Sequence, residues 1–145
     1  MGYCTLADIQ RHLQASDLVD LTDDAGTGEI DETVVTEAIA AADALIDGYI
    51  SGRYAVPLAT VPALVMRISV DLAIVALYER KKFLDVPDQL RETRKNAVDL
   101  LKAIQRGDVL LGLAAGSTEA TTGNVLTNKT AADRTFTAEL LDLMP

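Results

Sequence analysis

The segment from Pro62 to about Lys82 constrains the fold more than any other part of this chain. It carries Leu64, Val65, Met66, Ile68, Val70, Leu72, Ala73, Ile74, Val75, Ala76, Leu77 and Tyr78, and is apolar nearly all round when wound into a helix. A helix without a polar face must be surrounded by other elements, because any side left in water loses the benefit of burial. Its uninterrupted apolar run from Leu72 is far short of the ~20 residues of a membrane span. It is therefore expected to be the central helix of a bundle. Arg67 and Asp71 interrupt it four residues apart, a spacing that lets them pair on one face.

The flanking segments supply the partners. Asp31 is placed to cap a long helix in which Val34, Val35, Ala38, Ile39, Ala42, Leu45, Ile46, Tyr49 and Ile50 form an apolar stripe. Glu32, Thr36, Glu37, Asp43 and Asp47 are expected mostly opposite that stripe. Ala40, Ala41, Ala42 and Ala44 permit close approach of another helix, and Gly52 is placed to end this one. Pro57 and Pro62 bracket an extended connection, since residues before proline avoid helical geometry. Pro87 opens a further helix to about Arg106, with Leu90, Ala97, Val98, Leu101 and Ile104 inward and Gly107 as its stop. Nearer the start, Thr5 caps a short helix to about Gln14, with Asp8 three residues on. Ser16 is placed to cap a short turn through Leu21.

The expected fold is all-α: a small bundle of about four main helices around a central apolar helix. Val109 to Leu113 is a short apolar segment, either an extended strand or a final packing strip. Residues 1–113 form the helical domain. Residues 114–132 are rich in Gly, Ser, Thr and Asn without a periodic face, and read as a flexible arm. The chain turns apolar again at Phe136, Leu140 and Leu141, so 114–145 reads as an arm with a docking end.

Charge is distributed unevenly. The net charge is −9. Residues 1–52 hold eleven acids and one base, Arg11, for a local −10, and residues 53–106 hold ten bases and six acids, for +4. An acidic first third, with Asp17, Asp20, Asp23, Asp24 and Glu29, is a poor grip for phosphates. It reads as a solvated acidic face, or as a surface that meets a basic partner or repels DNA. A basic group of Arg80, Lys81, Lys82, Arg91, Arg94 and Lys95 is the one feature that would fit a DNA-binding module.

No catalytic motif emerges. His12 is the only histidine and Cys4 the only cysteine, so no internal disulfide is possible and a reducing cytoplasm is compatible. Neither a zinc cluster nor a phosphate-binding Gly-Lys-Ser/Thr loop occurs. The acidic loop from Asp23 fails as a calcium loop, because Ala25 or Val34 falls where an oxygen ligand is needed. Asp43 and Asp47 would pair as acid and base only on paper. Neither a secretory leader nor a membrane anchor is expected. Enzymatic activity, cofactors and metals are not expected.

A set of motifs, in order, carries a resemblance. Tyr3 precedes Thr5-Leu6-Ala7-Asp8-Ile9. Ile30-Asp31 precedes the long helix, which contains Ala38-Ile39 with Ala42 and then Ile46-Asp47-Gly48-Tyr49-Ile50. Arg53-Tyr54-x-x-Pro57-Leu58 follows, then Asp71-Leu72-Ala73, Leu77-Tyr78-x-Arg80, Ile104-x-x-Gly107 with Leu111, and finally Arg134-x-Phe136. The pattern resembles the Mu-like phage and prophage head–tail connector family and covers most of the chain except the Gly/Thr-rich arm. The resemblance implies a structural virion protein of the phage neck, assembled in the host cytoplasm. It would form a ring, typically of twelve subunits, below the portal. Its partners would be other copies, the portal protein, a tail-side neck or terminator protein, and DNA passing through without sequence-specific binding. Arg53, Tyr54, Phe136, Leu140 and Leu141 are the expected interfacial residues. Core placement is the alternative for Tyr54. In such a ring the acidic residues named above would face the DNA channel.

Overall fold

The computed structural model describes residues 2–81 and 85–113. Among them are five α-helices and no strand: α1 (Leu6–Gln10), α2 (Ala15–Thr22), α3 (Glu32–Ile50), α4 (Ala63–Arg80) and α5 (Asp88–Arg106). The all-α expectation is met, with three long helices and two short ones. The arm expected over 114–145, with Phe136, Leu140 and Leu141, lies outside the described residues, as does Lys82.

Helix α4 packs against all four other helices. Val65, Ile68, Val70, Leu72, Ala73, Ile74, Val75 and Leu77 are buried around its whole circumference, as its sequence demands. Burying each large side chain of this kind contributes about 1.5–3 kcal/mol. The exposed Arg67–Asp71 pair, with Nε 3.2 Å from the carboxylate, is the kind of contact that contributes ~1 kcal/mol or less. The fold therefore rests on the apolar girth of α4 and not on its surface charges.

Helix α3 starts where the sequence places it. The Asp31 carboxylate accepts the N–H groups of Thr33 at 2.9 Å and Val34 at 3.4 Å. Val35, Ala38, Ile39, Ala42, Ile46 and Ile50 are buried, whereas Leu45 at the stripe's edge is 36% exposed. The helix stops at Ile50, whose carbonyl accepts the N–H groups of both Arg53 and Tyr54 at 2.9 Å. Gly52 sits in that turn without a left-handed conformation, so the tight turn, and not a glycine cap, ends α3. The Val56–Pro57 peptide is cis.

The two short helices differ from expectation in detail. Thr5 and Asp8 form the full capping box, but α1 ends at Gln10 instead of running to Gln14. Helix α2 begins at Ala15, so Ser16 lies inside it and Gln14 caps it without a side-chain bond. Its position is set by burial of Leu18 and Leu21, which lie in the same core as Ile9 of α1.

Helix α5 buries Ala97, Leu101 and Ile104 and ends at Gly107, which adopts φ +90°. The Gly107 N–H donates to the carbonyls of Ala103 and Ile104, and the Asp108 N–H to that of Ala103. This left-handed stop is the one Gly107 was expected to make. Residues 109–113 form no strand and act as a packing strip. Leu111 is buried, Val109 and Leu113 lie against the core, and Leu110 is 70% exposed.

Candidate assembly interface

The described residues carry two internal joints and two charged surfaces. The first joint holds the N-terminal segment. Tyr3 and Cys4 are buried. The Tyr3 N–H donates to Asp43 Oδ2 at 2.9 Å. The Tyr3 hydroxyl donates to Asp47 and accepts the Leu58 N–H at 3.1 Å. From α4, the Ser69 hydroxyl donates to Asp43 Oδ1 at 2.7 Å and lies 3.2 Å from Cys4 Sγ. Asp43 and Asp47, one turn apart on α3, are thus half-buried against the N-terminal segment. This corrects the expectation that they lie opposite the apolar stripe. The joint was missed because each residue reads as ordinary alone. The available signal was Ser69, a polar residue in a helix with no polar face, which needs a partner.

The chemistry of this joint is structural. Burial, helped by the bond to Asp47, pushes the Tyr3 phenol up to about 12, with the Leu58 N–H opposing. Burial also raises the Cys4 thiol; the Ser69 hydroxyl acts the other way, and the charges of Asp43 and Asp8 add to the rise. Both acids are occupied by hydrogen bonds. No buried side-chain polar atom among the described residues lacks a partner.

The second joint contains Arg53 and Tyr54. The Tyr54 ring is buried, 6% exposed, and its hydroxyl accepts the Leu111 N–H at 3.2 Å. The half-buried Arg53 lays its guanidinium against Gly107, at the C-terminal end of α5. A cation is favoured there by the negative end of the helix dipole. The pair thus ties the turn after α3 to the end of α5 and to the strip beyond it. Core placement holds for Tyr54. Beside it, Pro57, Leu58, Thr60 and Leu113 line a groove of about 290 Å³ where the described chain ends.

The acidic residues separate into two groups. Asp23 is bound within its own loop: Oδ1 accepts the Thr27 N–H at 3.0 Å and Oδ2 the Gly28 N–H at 2.6 Å. These N–H groups hold its carboxyl below the usual carboxylate range. Asp24 pairs with Arg80 and with Lys81 Nζ, the latter at 2.8 Å. Asp17, Asp20 and Glu29 are exposed and form no ion pair among the described residues.

The bases separate as well. Arg80 and Lys81 are engaged with Asp24, Arg94 with Glu79, and Arg91 with Asp88 at 3.5 Å. Lys95 is exposed and forms no ion pair among the described residues. No group of three or more His, Cys, Asp or Glu side chains that could hold a metal occurs among them. None of the described helices is long and apolar enough to cross a membrane.

The fold and these surfaces define a small all-α bundle whose polar clusters knit its own elements together. The family model described as bacteriophage Mu, Gp36 matches residues 3–129, and the chain belongs to that phage protein family. It is 34% identical over 85 residues to the Mu-like prophage FluMu protein gp36 of Haemophilus influenzae, covering 59% of this chain and 57% of that protein. It is 31% identical over 108 residues to gene product J of Escherichia phage Mu, covering 74% of each chain. The match thus spans little more than half the length of the Haemophilus protein and about three quarters of the Mu protein.

Proposed function

We propose that this chain is a structural virion protein: a head–tail connector of a Mu-like phage or prophage, assembled as a ring below the portal. The observation that supports it most is membership of the Mu Gp36 family over residues 3–129. The described structure is in keeping with a non-enzymatic role, because the half-buried Asp43 and Asp47, the Tyr3 and Ser69 hydroxyls and the Cys4 thiol are committed to the joint around Tyr3. The partners in this reading are further copies, typically twelve in all, the portal protein, a tail-side neck or terminator protein, and DNA sliding through. Its location is the virion neck. Phe136, Leu140 and Leu141 dock the C-terminal arm on a neighbour or on the portal, and Arg53 and Tyr54 hold the strip from which that arm departs.

Co-expression with the portal protein of the same phage, followed by mass measurement and electron microscopy, tests this reading. A portal-bound ring is expected. Wild-type protein that never co-purifies with portal would overturn it. The full-length variant F136A/L140A/L141A should keep its helical circular dichroism and lose portal association. A DNA-binding module built on Arg80, Lys81, Lys82, Arg91, Arg94 and Lys95 is less favoured, because Arg80, Lys81 and Arg94 are held by acids of other elements of the same chain.

A further inference from the structure

One face of α5 has no partner in the bundle. Arg91, Lys95, Lys102 and Arg106 recur at four-, seven- and four-residue intervals, so they share one side of the helix, with Val98 among them. All four bases are exposed. The stripe is mixed in sign: Asp88 lies 3.5 Å from Arg91, Asp99 3.8 Å from Lys102, and Asp108 3.0 Å from Arg106. The interleaved acids break the continuous positive track that a DNA backbone needs and leave separate positive points suited to discrete carboxylates. The net charge of −9 also works against long-range attraction to DNA.

The complementary surface lies on the same molecule. Asp17 and Asp20 on α2, and Glu29 in the loop after it, are exposed and form no ion pair among the described residues. Helices α2 and α5 each pack on α3 and α4, and make at most a marginal contact with each other. Within one copy no ion pair joins the α5 bases to Asp17, Asp20 or Glu29 among the described residues. A surface that is complementary to a different surface of the same chain makes a head-to-tail contact, and head-to-tail contacts generate rings when the rotation closes.

We propose that the outer face of α5, through Arg91, Lys95, Lys102 and Arg106, docks the Asp17, Asp20 and Glu29 flank of a second copy. This assigns those acids to the subunit contact instead of the DNA channel, and it rests on the ring reading. The pairing sets register and orientation of neighbours, as charge complementarity does at other interfaces.

Carbodiimide cross-linking of the concentrated wild-type protein at low salt, read by peptide mass spectrometry, tests the contact directly. Intermolecular links from Lys95 or Lys102 to Asp17, Asp20 or Glu29 are expected, and they should fall several-fold at high salt. Their absence, with or without links elsewhere, would overturn the proposal. Charge reversal gives the second arm. K95E/K102E and D17K/D20K should each lose ring assembly on the portal, and the four-substitution chain should recover it. If K95E/K102E still assembles like wild type on the portal, the interface is wrong while the connector reading stands. Wild-type protein that forms the cross-links but binds no portal would leave the contact standing and remove the connector reading. Loss of duplex-DNA binding in K95E/K102E, with ring assembly on the portal unchanged, would make α5 a nucleic-acid surface and overturn the proposal.

Discussion

At the scale of single residues, Tyr3 has the most to lose. Its hydroxyl serves two groups at once, the Asp47 carboxylate and the buried Leu58 N–H. Tyr3→Phe leaves that N–H without a partner, and the expected cost is about 1–3 kcal/mol in urea denaturation. The same residue sets an alkaline limit. Its phenol moves from 10.0 up to about 12 on folding, so between those values the folded chain holds a proton that the unfolded chain has released. Stability from this group is present below about pH 10 and is lost as pH rises toward about 12. A Tyr3→Phe chain should show a weaker loss over that window. Gly107 is the second sensitive position. With φ +90° and the Arg53 guanidinium against it, an added methyl group meets both backbone strain and a collision. Gly107→Ala should destabilise by about 1–2 kcal/mol from the left-handed backbone alone. Adding Arg53→Ala should recover the part of any further loss that is steric, measurable as a double-mutant cycle.

At the scale of elements, the three long helices were legible because their periodicity, caps and stops agree. Asp31 bonds the first turn of α3, and Gly107 closes α5 in a left-handed conformation that glycine adopts without the strain a side chain would bring. Asp31→Ala should cost about 1 kcal/mol by thermal or chemical denaturation. Leu77, fully buried on α4, should cost about 2–5 kcal/mol when changed to Ala, because the surrounding helices cannot collapse into the space. The short helices were less legible. Eight residues or fewer offer too little periodicity to locate an end, so the packing of Ile9, Leu18 and Leu21 sets their positions. Strip 109–113 was ambiguous for the same reason. Its state is decided by Tyr54, whose hydroxyl takes the Leu111 N–H that a neighbouring strand would otherwise have to satisfy.

At the scale of the whole molecule, membership of the Mu Gp36 family agrees with motifs spread along the chain, from Tyr3 to Leu111. The helical class, the central place of α4 and the imbalance of charge along the chain follow from the residues alone, because periodicity, apolar girth and formal charge are properties of local sequence. The tertiary structure decided what each charged or polar group does. It committed Asp43 and Asp47 to Tyr3, bound Asp23 into its own loop, and paired Asp24 with Arg80 and Lys81. It also placed the acidic α2 and the basic stripe of α5 where they scarcely touch. Asp23 apart, which bonds within its own loop, the pairings of Asp24, Asp43 and Asp47 join residues 26 to 57 positions apart along the chain, as for Ser69 with Asp43 and Lys81 with Asp24. A hydrogen bond or ion pair across such a separation exists only after the helices have packed, so no local pattern encodes it.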